Sequence, residues 1–402
     1  MICFPTKIVN KEARNTSKCY DFHPMDRIQK EENESKLLHS AASRSAESAG
    51  RAFTEQTDPW RTRYERDRDR IIHCSAFRRL MYKTQVFVNH VGDNQRTRLT
   101  HSLEVTQVSR SLANALNLNE SLCESIALAH DLGHPPFGHS GEVLINKKMA
   151  EHGGFKHNRQ SLRIVDVLEQ RSPEYRGLNL TEETKNCLKK HEEVIEPNSG
   201  KKLRFPLLEA QLVDLADSTA YHYHDIDDGI REKILDPVKM ESDLEIWAIA
   251  IEESRKRHSN QSDGILLWRR AANEILGMTI ADVREESHKR LQTAEGLSAI
   301  EAQMSDQRLI GHSEKFKSMV ADMHKYLYEN MYFNEDINWH VRRATDLLDK
   351  VFDAVLENPQ HVPDRFRETA DSLEHAVCDF VSGMTDRYVY SIARTLGVLP
   401  PY

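Results

Sequence analysis

Fourteen residues, Ala129 to Glu142, constrain this chain more than any other stretch; they read AHDLGHPPFGHSGE. They hold three histidines, an aspartate, a glutamate, three glycines and two prolines. The preceding SLCESIALAHD alternates apolar and polar residues at helical spacing. Gly133, Pro135 and Pro136 then end that helix, because proline lacks the N–H the ladder needs and glycine suits a turn. The pattern predicts His130 and Asp131 on the last helical turn, with His134 and His139 in the irregular segment beyond. An adjacent His-Asp pair is costly to bury. Both groups lose hydration, unless a cation takes the imidazole lone pair and the carboxylate together.

A metal needs further ligands, and two other predicted helices offer them. RTRLTHSLEVTQVSRSLANAL carries His101, with Leu103, Val105, Val108, Leu112 and Leu116 as a roughly helical apolar stripe. LLEAQLVDLADSTAYHYHDIDDG carries Asp214, Asp217, Tyr221 and Asp225. Residues 217, 221 and 225 fall within an arc of about 80° at ~100° per residue, so they can face one pocket. Asp214 and Asp217 compete for the fourth place. Two imidazoles and two carboxylates suit Mg²⁺, Mn²⁺, Fe²⁺ or Co²⁺, with open positions for water and a phosphate oxygen. His139 and Glu142 are separated by i+3 at the start of the next helix, where they can touch.

The order H, HD, D resembles the HD-domain phosphohydrolases. The segments DRDRIIHCSAFRRLMYKTQVF, RTRLTHSLEV, ALAHDLGHPPFGHSGE, LADSTAYHYHDIDDG and GMTDRY are together similar to the branch of deoxynucleoside triphosphate triphosphohydrolases, the dGTPase-like proteins. The likeness covers about Trp60 to Tyr388 in register. It implies His101, His130, Asp131 and Asp217 as ligands of a divalent ion (Mg²⁺ or Mn²⁺), with Asp217 chosen by its spacing to Tyr221 and Asp225. It implies His139 near the scissile phosphate, Glu142 orienting it, and His157 as a third member of that relay. Arg98 and His134 would bind phosphates, Gln85 the sugar 3′-hydroxyl, and Tyr221 would exclude a 2′-hydroxyl by stacking under the deoxyribose. Asp225 would bind a triphosphate-side or sugar group through water or a cation. The expected reaction is hydrolysis of a deoxynucleoside triphosphate to the deoxynucleoside and triphosphate. Rival readings keep the site but change the substrate (5′-nucleotidase, phosphodiesterase, alarmone hydrolase), or make the chain a nucleotide-sensing or single-strand-binding protein. The family commonly assembles as tetramers or hexamers, so a homo-oligomer is expected, with an allosteric dNTP or single-stranded DNA as further candidate partners.

Composition narrows the class. With 402 residues, 39% hydrophobic and 29% charged, the chain suits one large domain or two average ones. Its net charge of −8 argues against coating nucleic acid as the main task, while arginines in DRDRIIHCSAFRRLMYK and DNQRTRLTH supply local positive charge. Arg78, Arg79 and Lys83 could reach a triphosphate or a neighbouring subunit, although such a run is more often a solvated face. Six scattered cysteines without a CxxC spacing point to reduced thiols, no run approaches a membrane span, and a cytoplasmic location is expected. Residues 1–58 read as a peripheral, partly mobile extension without a sustained buried face, and 59–402 as the catalytic body with a C-terminal helical part. The fold expected is all-α: an HD-domain helical bundle with peripheral helical additions. Helices are predicted over 99–117, 121–132, 139–151 and 158–170, and HDIDDG is read as the end of the Asp217 helix.

Overall fold

The computed structural model describes residues 24–85, 96–189, 194–195, 200, 202–257, 264–332 and 335–399. Residues 1–23, with Cys3 and Cys19, lie outside the described residues, as do most of the SNQSDG connection and the YKTQVF motif beyond Gln85. Regular structure among the described residues is helical, apart from a short antiparallel ribbon pairing Val194–Ile195 with Lys202–Leu203. The all-α expectation holds.

Four helices form the central bundle: Arg63–His73, Arg98–Ala115, Glu120–Ala129 and Leu208–Arg231. Val105, Val108, Leu112, Leu122, Ile126, Leu212, Val213 and Ala216 close its core. The predicted stripe is right from Val105 onward, but Leu103 is exposed. Two residues before Val105 means about 200° of rotation, which turns Leu103 to the opposite face. Thr97 starts the first of these helices with a capping box, its hydroxyl accepting from the Thr100 N–H. Asn119 starts the next, its Oδ1 accepting from the Leu122 N–H at 3.1 Å. Caps of this kind stabilise a helix by ~1 kcal/mol each.

The helix before the HD pair stops at Ala129 rather than at 132, and His130 is its cap residue. Ser161 explains the early stop, because its hydroxyl donates to the His130 carbonyl at 3.0 Å and accepts from the Gly133 N–H at 2.9 Å. Those bonds satisfy a helix-end carbonyl while drawing the turn onto the His157–Arg163 helix. A Cβ on Gly133 would lie 2.2 Å from the His157 carbonyl oxygen, so only glycine permits that approach. HDIDDG does not end the Asp217 helix, which runs on to Arg231. Gly229 sits inside it against the Leu235 side chain, a packed helical glycine that reads in sequence like a stop.

Around the bundle lie three further cores, one of them built on Ile71, Leu80, Leu132 and Leu180 beside the HD turn. Helices Glu335–Glu357, Leu373–Ser382 and Asp386–Thr395 bury Leu348, Val351, Val377, Val381 and Val389 with Ile145 of the Gly138–Lys148 helix and Met149, its cap residue. Helices Glu245–Arg257, Gly264–Gln292 and Glu314–Leu327 surround Trp247, whose indole N–H donates to the Pro237 carbonyl. The segment before residue 59 is anchored more firmly than its composition suggests. The Arg27–Leu37 helix buries nothing, yet Ala41 and Ala42 join the central core and Arg51 pairs with the enclosed Asp67 at 2.5 Å.

Candidate active site

Three helices bring the four predicted ligands together. His101 Nε2 lies 3.1 Å from Asp217 Oδ1, and His130 Nε2 lies 3.5 Å from the same oxygen and 3.3 Å from Asp131 Oδ1. The carboxylate of Asp217 thus meets both histidines. The donor atoms of His101, His130 and Asp131 all fall within 4.8 Å of one another. His130 Nδ1 sits 2.7 Å from the Ala127 carbonyl, which accepts its proton and leaves Nε2 to face the cluster. Burial opposes ionisation of Asp131, but the cationic Arg98 bonded to it and the surrounding polar groups overcome that and hold the carboxyl well below the ordinary range. A neutral imidazole presenting Nε2, beside a carboxylate kept ionised while buried, is a donor set that fits a divalent cation.

Arg98 is buried and donates through Nη1 to Asp131 Oδ2 at 2.8 Å. This leaves Oδ1 of that carboxylate for the cluster. Among the described residues, the Arg98 Nε is buried without a hydrogen-bond partner, as are Gln85 Oε1 and His134 Nδ1. Gly138, in the left-handed region at φ +61, lets this corner close: a Cβ there would stand 3.1 Å from Arg98 Nη2 and 3.6 Å from the Gln85 carbonyl. Phe137 before it is also left-handed, at φ +60, a conformation costly for an aromatic residue unless its surroundings enforce it.

The proposed relay is arranged differently from its expectation. Glu142 Oε1 accepts from both the backbone N–H and the ring of His157, each at 2.8 Å. Its other oxygen stands 3.5 Å from His139 Nδ1. Glu142 therefore grips His157 and touches His139 loosely. The reason is placement: His139 projects from the first turn of its helix into solvent, with 85% of its side chain exposed. Glu142 still raises the His139 pKa through that contact, and the two histidines hold Glu142 well below the usual range against the opposing effect of burial. His157 stacks on His134, ring centres 3.9 Å apart, and His134 Nε2 lies 3.3 Å from Asp131 Oδ1. Burial first, then Arg98, keeps the His134 imidazole neutral far below its ordinary pKa. Tyr221 is half-buried one turn beyond Asp217, and Asp225 is fully buried two turns beyond it.

A model described as HD domain matches residues 98–222, and one described as phosphohydrolase-associated domain matches residues 310–395. A deoxyguanosinetriphosphate triphosphohydrolase-like protein of Geobacter metallireducens is 39% identical over 358 residues, 87% of this chain and 92% of the relative. Deoxyguanosinetriphosphate triphosphohydrolase-like protein 1 of Deinococcus radiodurans is 43% identical over 363 residues, 89% and 95% respectively. A like-named protein of Brucella ovis is 38% identical over 380 residues, 88% and 94%. The chain belongs to the deoxyguanosinetriphosphate triphosphohydrolase-like family of HD-domain proteins.

Within this family member, one GMTDRY residue whose role the sequence left open ties the phosphohydrolase-associated region to the HD region. Asp386, buried, accepts at Oδ2 from the Thr84 N–H at 2.8 Å and the Thr84 hydroxyl at 2.5 Å, and at Oδ1 from the Phe137 N–H at 3.0 Å. It thereby pins the residue before Gln85 and the left-handed residue that starts the His139 helix. Lys83, read as part of a solvated charge run, is instead enclosed; its ammonium donates to the His134 carbonyl at 2.5 Å and the Ser382 carbonyl at 3.0 Å. Burial, then nearby Arg79, pushes its pKa well below the ordinary value. Lys83 and Asp386 carried no legible signal, since their partners lie 51 and 302 residues away. No helix among the described residues is long and apolar enough to cross a membrane.

Proposed function

We propose that the protein hydrolyses deoxynucleoside triphosphates, adding water across the bond between the 5′-oxygen and the α-phosphorus to give deoxynucleoside and inorganic triphosphate. The observation that carries this reading is the trio of buried, unpartnered polar atoms, Arg98 Nε, Gln85 Oε1 and His134 Nδ1, around four converging ligand groups. Buried polar groups in folded proteins are almost always satisfied, so such orphans mark where a polar ligand docks. The names of the relatives, each a deoxyguanosinetriphosphate triphosphohydrolase-like protein, point the same way.

In this reading His101, His130, Asp131 and Asp217 hold Mg²⁺ or Mn²⁺, which when bound supplies Lewis-acid polarisation of a phosphate oxygen. Arg98 and His134 bind and orient the α-phosphate and offset charge as it develops. His139, whose pKa is raised by its contact with Glu142, gives its proton to the departing 5′-oxygen. Glu142 and His157 position that end of the site. Gln85 reads the 3′-hydroxyl, Tyr221 leaves no room for a 2′-hydroxyl, and Asp225 extends the same helix face toward the sugar or the triphosphate. Residues 59–402 form the catalytic body, which acts in the cytoplasm as a homo-oligomer and takes an allosteric dNTP or single-stranded DNA as a further partner.

The test is product analysis by ion-exchange chromatography with each dNTP, singly and mixed, in Mn²⁺ or Mg²⁺. Triphosphate and deoxynucleoside are expected, and both should vanish with a chelator and in Asp131→Ala, where turnover falls on the order of 10³-fold or more. Monophosphate with pyrophosphate, or orthophosphate, would overturn this reading in favour of another HD phosphohydrolase activity.

A further inference from the structure

His101 and His130 face the same cluster but are held in different ways. His130 gives its Nδ1 proton to a backbone carbonyl of its own helix. Among the described residues His101 Nδ1 is hydrogen-bonded to no carbonyl, and lies instead 3.4 Å from Nδ1 of His224, a residue of the neighbouring Asp217 helix. The two rings cross at 79° with centres 5.4 Å apart, and each residue is only 1% exposed. The second nitrogen of His224, Nε2, meets the carboxylate of Glu104. Glu104 is one turn after His101, so the connection leaves the His101 helix, crosses to its neighbour and returns. Arg96 stands behind Glu104, its Nε 3.5 Å away, and is itself fixed by Asp228 at 2.7 Å and Asp227 at 3.2 Å.

We propose that Glu104 and His224 form a positioning dyad for His101. The inference rests on the reading of His101 as a metal ligand. Donor and acceptor counting then leaves one arrangement of protons. If His101 presents the Nε2 lone pair to a cation, its proton is on Nδ1 and must be donated. His224 Nδ1 accepts it, which places the His224 proton on Nε2, facing Glu104. An ionised carboxylate only accepts, so the run of protons ends there. Such a partner fixes the ring of a ligating imidazole and increases its basicity, and losing it typically weakens metal binding 10- to 100-fold. Two residues, one on each of two helices, thus do for His101 what one carbonyl does for His130. Neither Glu104 nor His224 touches the reacting atoms.

The experiment is Mn²⁺ titration of the full-length, metal-free protein, following free Mn²⁺ by electron paramagnetic resonance, with thermal unfolding of the metal-free proteins in parallel. His224→Leu and Glu104→Ala should each raise the Mn²⁺ Kd roughly 10- to 100-fold. Glu104→Gln, which keeps an acceptor oxygen, should recover part of that loss. If His224→Leu does not fold, His224→Asn, which retains an oxygen near the Nδ1 position, and the Glu104 pair decide the matter. Wild-type Kd in the folded His224 and Glu104 variants would overturn the dyad while leaving the metal site standing. A loss with His224 variants alone would overturn the part assigned to Glu104. A wild-type protein that binds no Mn²⁺ would overturn the metal reading itself, and the dyad with it.

Discussion

The two ends of the candidate site are built on opposite terms. At the ligand end, His101, His130, Asp131 and Arg98 are all buried, each held by at least one partner from a neighbouring helix or its own backbone. At the relay end, Glu142 and His157 are tied at 2.8 Å, yet His139 stands almost wholly in solvent. The difference separates what must be preorganised from what must adapt. A cation rewards donors already in place, since moving buried polar groups costs several kcal/mol. A proton donor needs only to reach its acceptor once substrate has arrived, and catalytic contacts are often loose before then.

The comparison can be broken at its exposed end with the largest effect. His139→Gln should lower kcat roughly 10²- to 10⁴-fold, the usual worth of a positioned acid or base. The same substitution should leave stability within ~0.5 kcal/mol, because the side chain buries little. Chromatographic turnover and a urea titration measure both quantities; undiminished kcat would hand the proton-transfer role to His157.

The pinned corner between the two ends comes next. Asp386→Ala removes three hydrogen bonds that hold Thr84 and Phe137, so the loop carrying His134 and the start of the His139 helix lose their anchor. A displacement of about 1 Å is enough for a ~10²-fold loss of kcat. The metal ligands sit elsewhere, so Mn²⁺ affinity should stay near wild type. Equal loss of metal affinity and turnover would show that the two ends are one rigid unit.

The smallest expected effect concerns pH. Burial, with His324 beside it, lowers the pKa of His222 to about 4, below its ordinary 6.5. A histidine depressed in the folded state gives its full stabilisation above the unfolded pKa, and loses it as pH falls from about 6.5 toward 4. His222→Asn should therefore flatten the fall in unfolding free energy between pH 7 and pH 5, by on the order of 1–2 kcal/mol. Parallel curves for wild type and variant would place the histidine's titration elsewhere.

What the sequence made legible was local. The helical class followed from apolar spacing and from Gly and Pro punctuation, and the Asp217 choice from the family resemblance, whose spacing to Tyr221 and Asp225 it matches. The same signals misled where tertiary contact overrode them. Gly229 looks like a stop but fills a tight packing position, and the HD helix ends early because Ser161 caps it from 31 residues away. Asp386, Lys83 and His224 were out of reach for the same reason: their partners are brought near only by the fold. The loose His139 contact was equally hidden, since i+3 spacing permits a pair without fixing which partner an acid prefers.

The Asp386 anchor has a consequence for how the protein comes into being. Synthesis runs from the amino end, so the four ligands, the arginine and the relay have all been made by residue 217, well before Asp386. A chain cut short anywhere between residue 225 and Asp386 holds every group the chemistry names, but lacks the carboxylate that binds the Phe137 and Thr84 backbones. Completion of the reactive corner is in this way deferred until the chain has been made past residue 386.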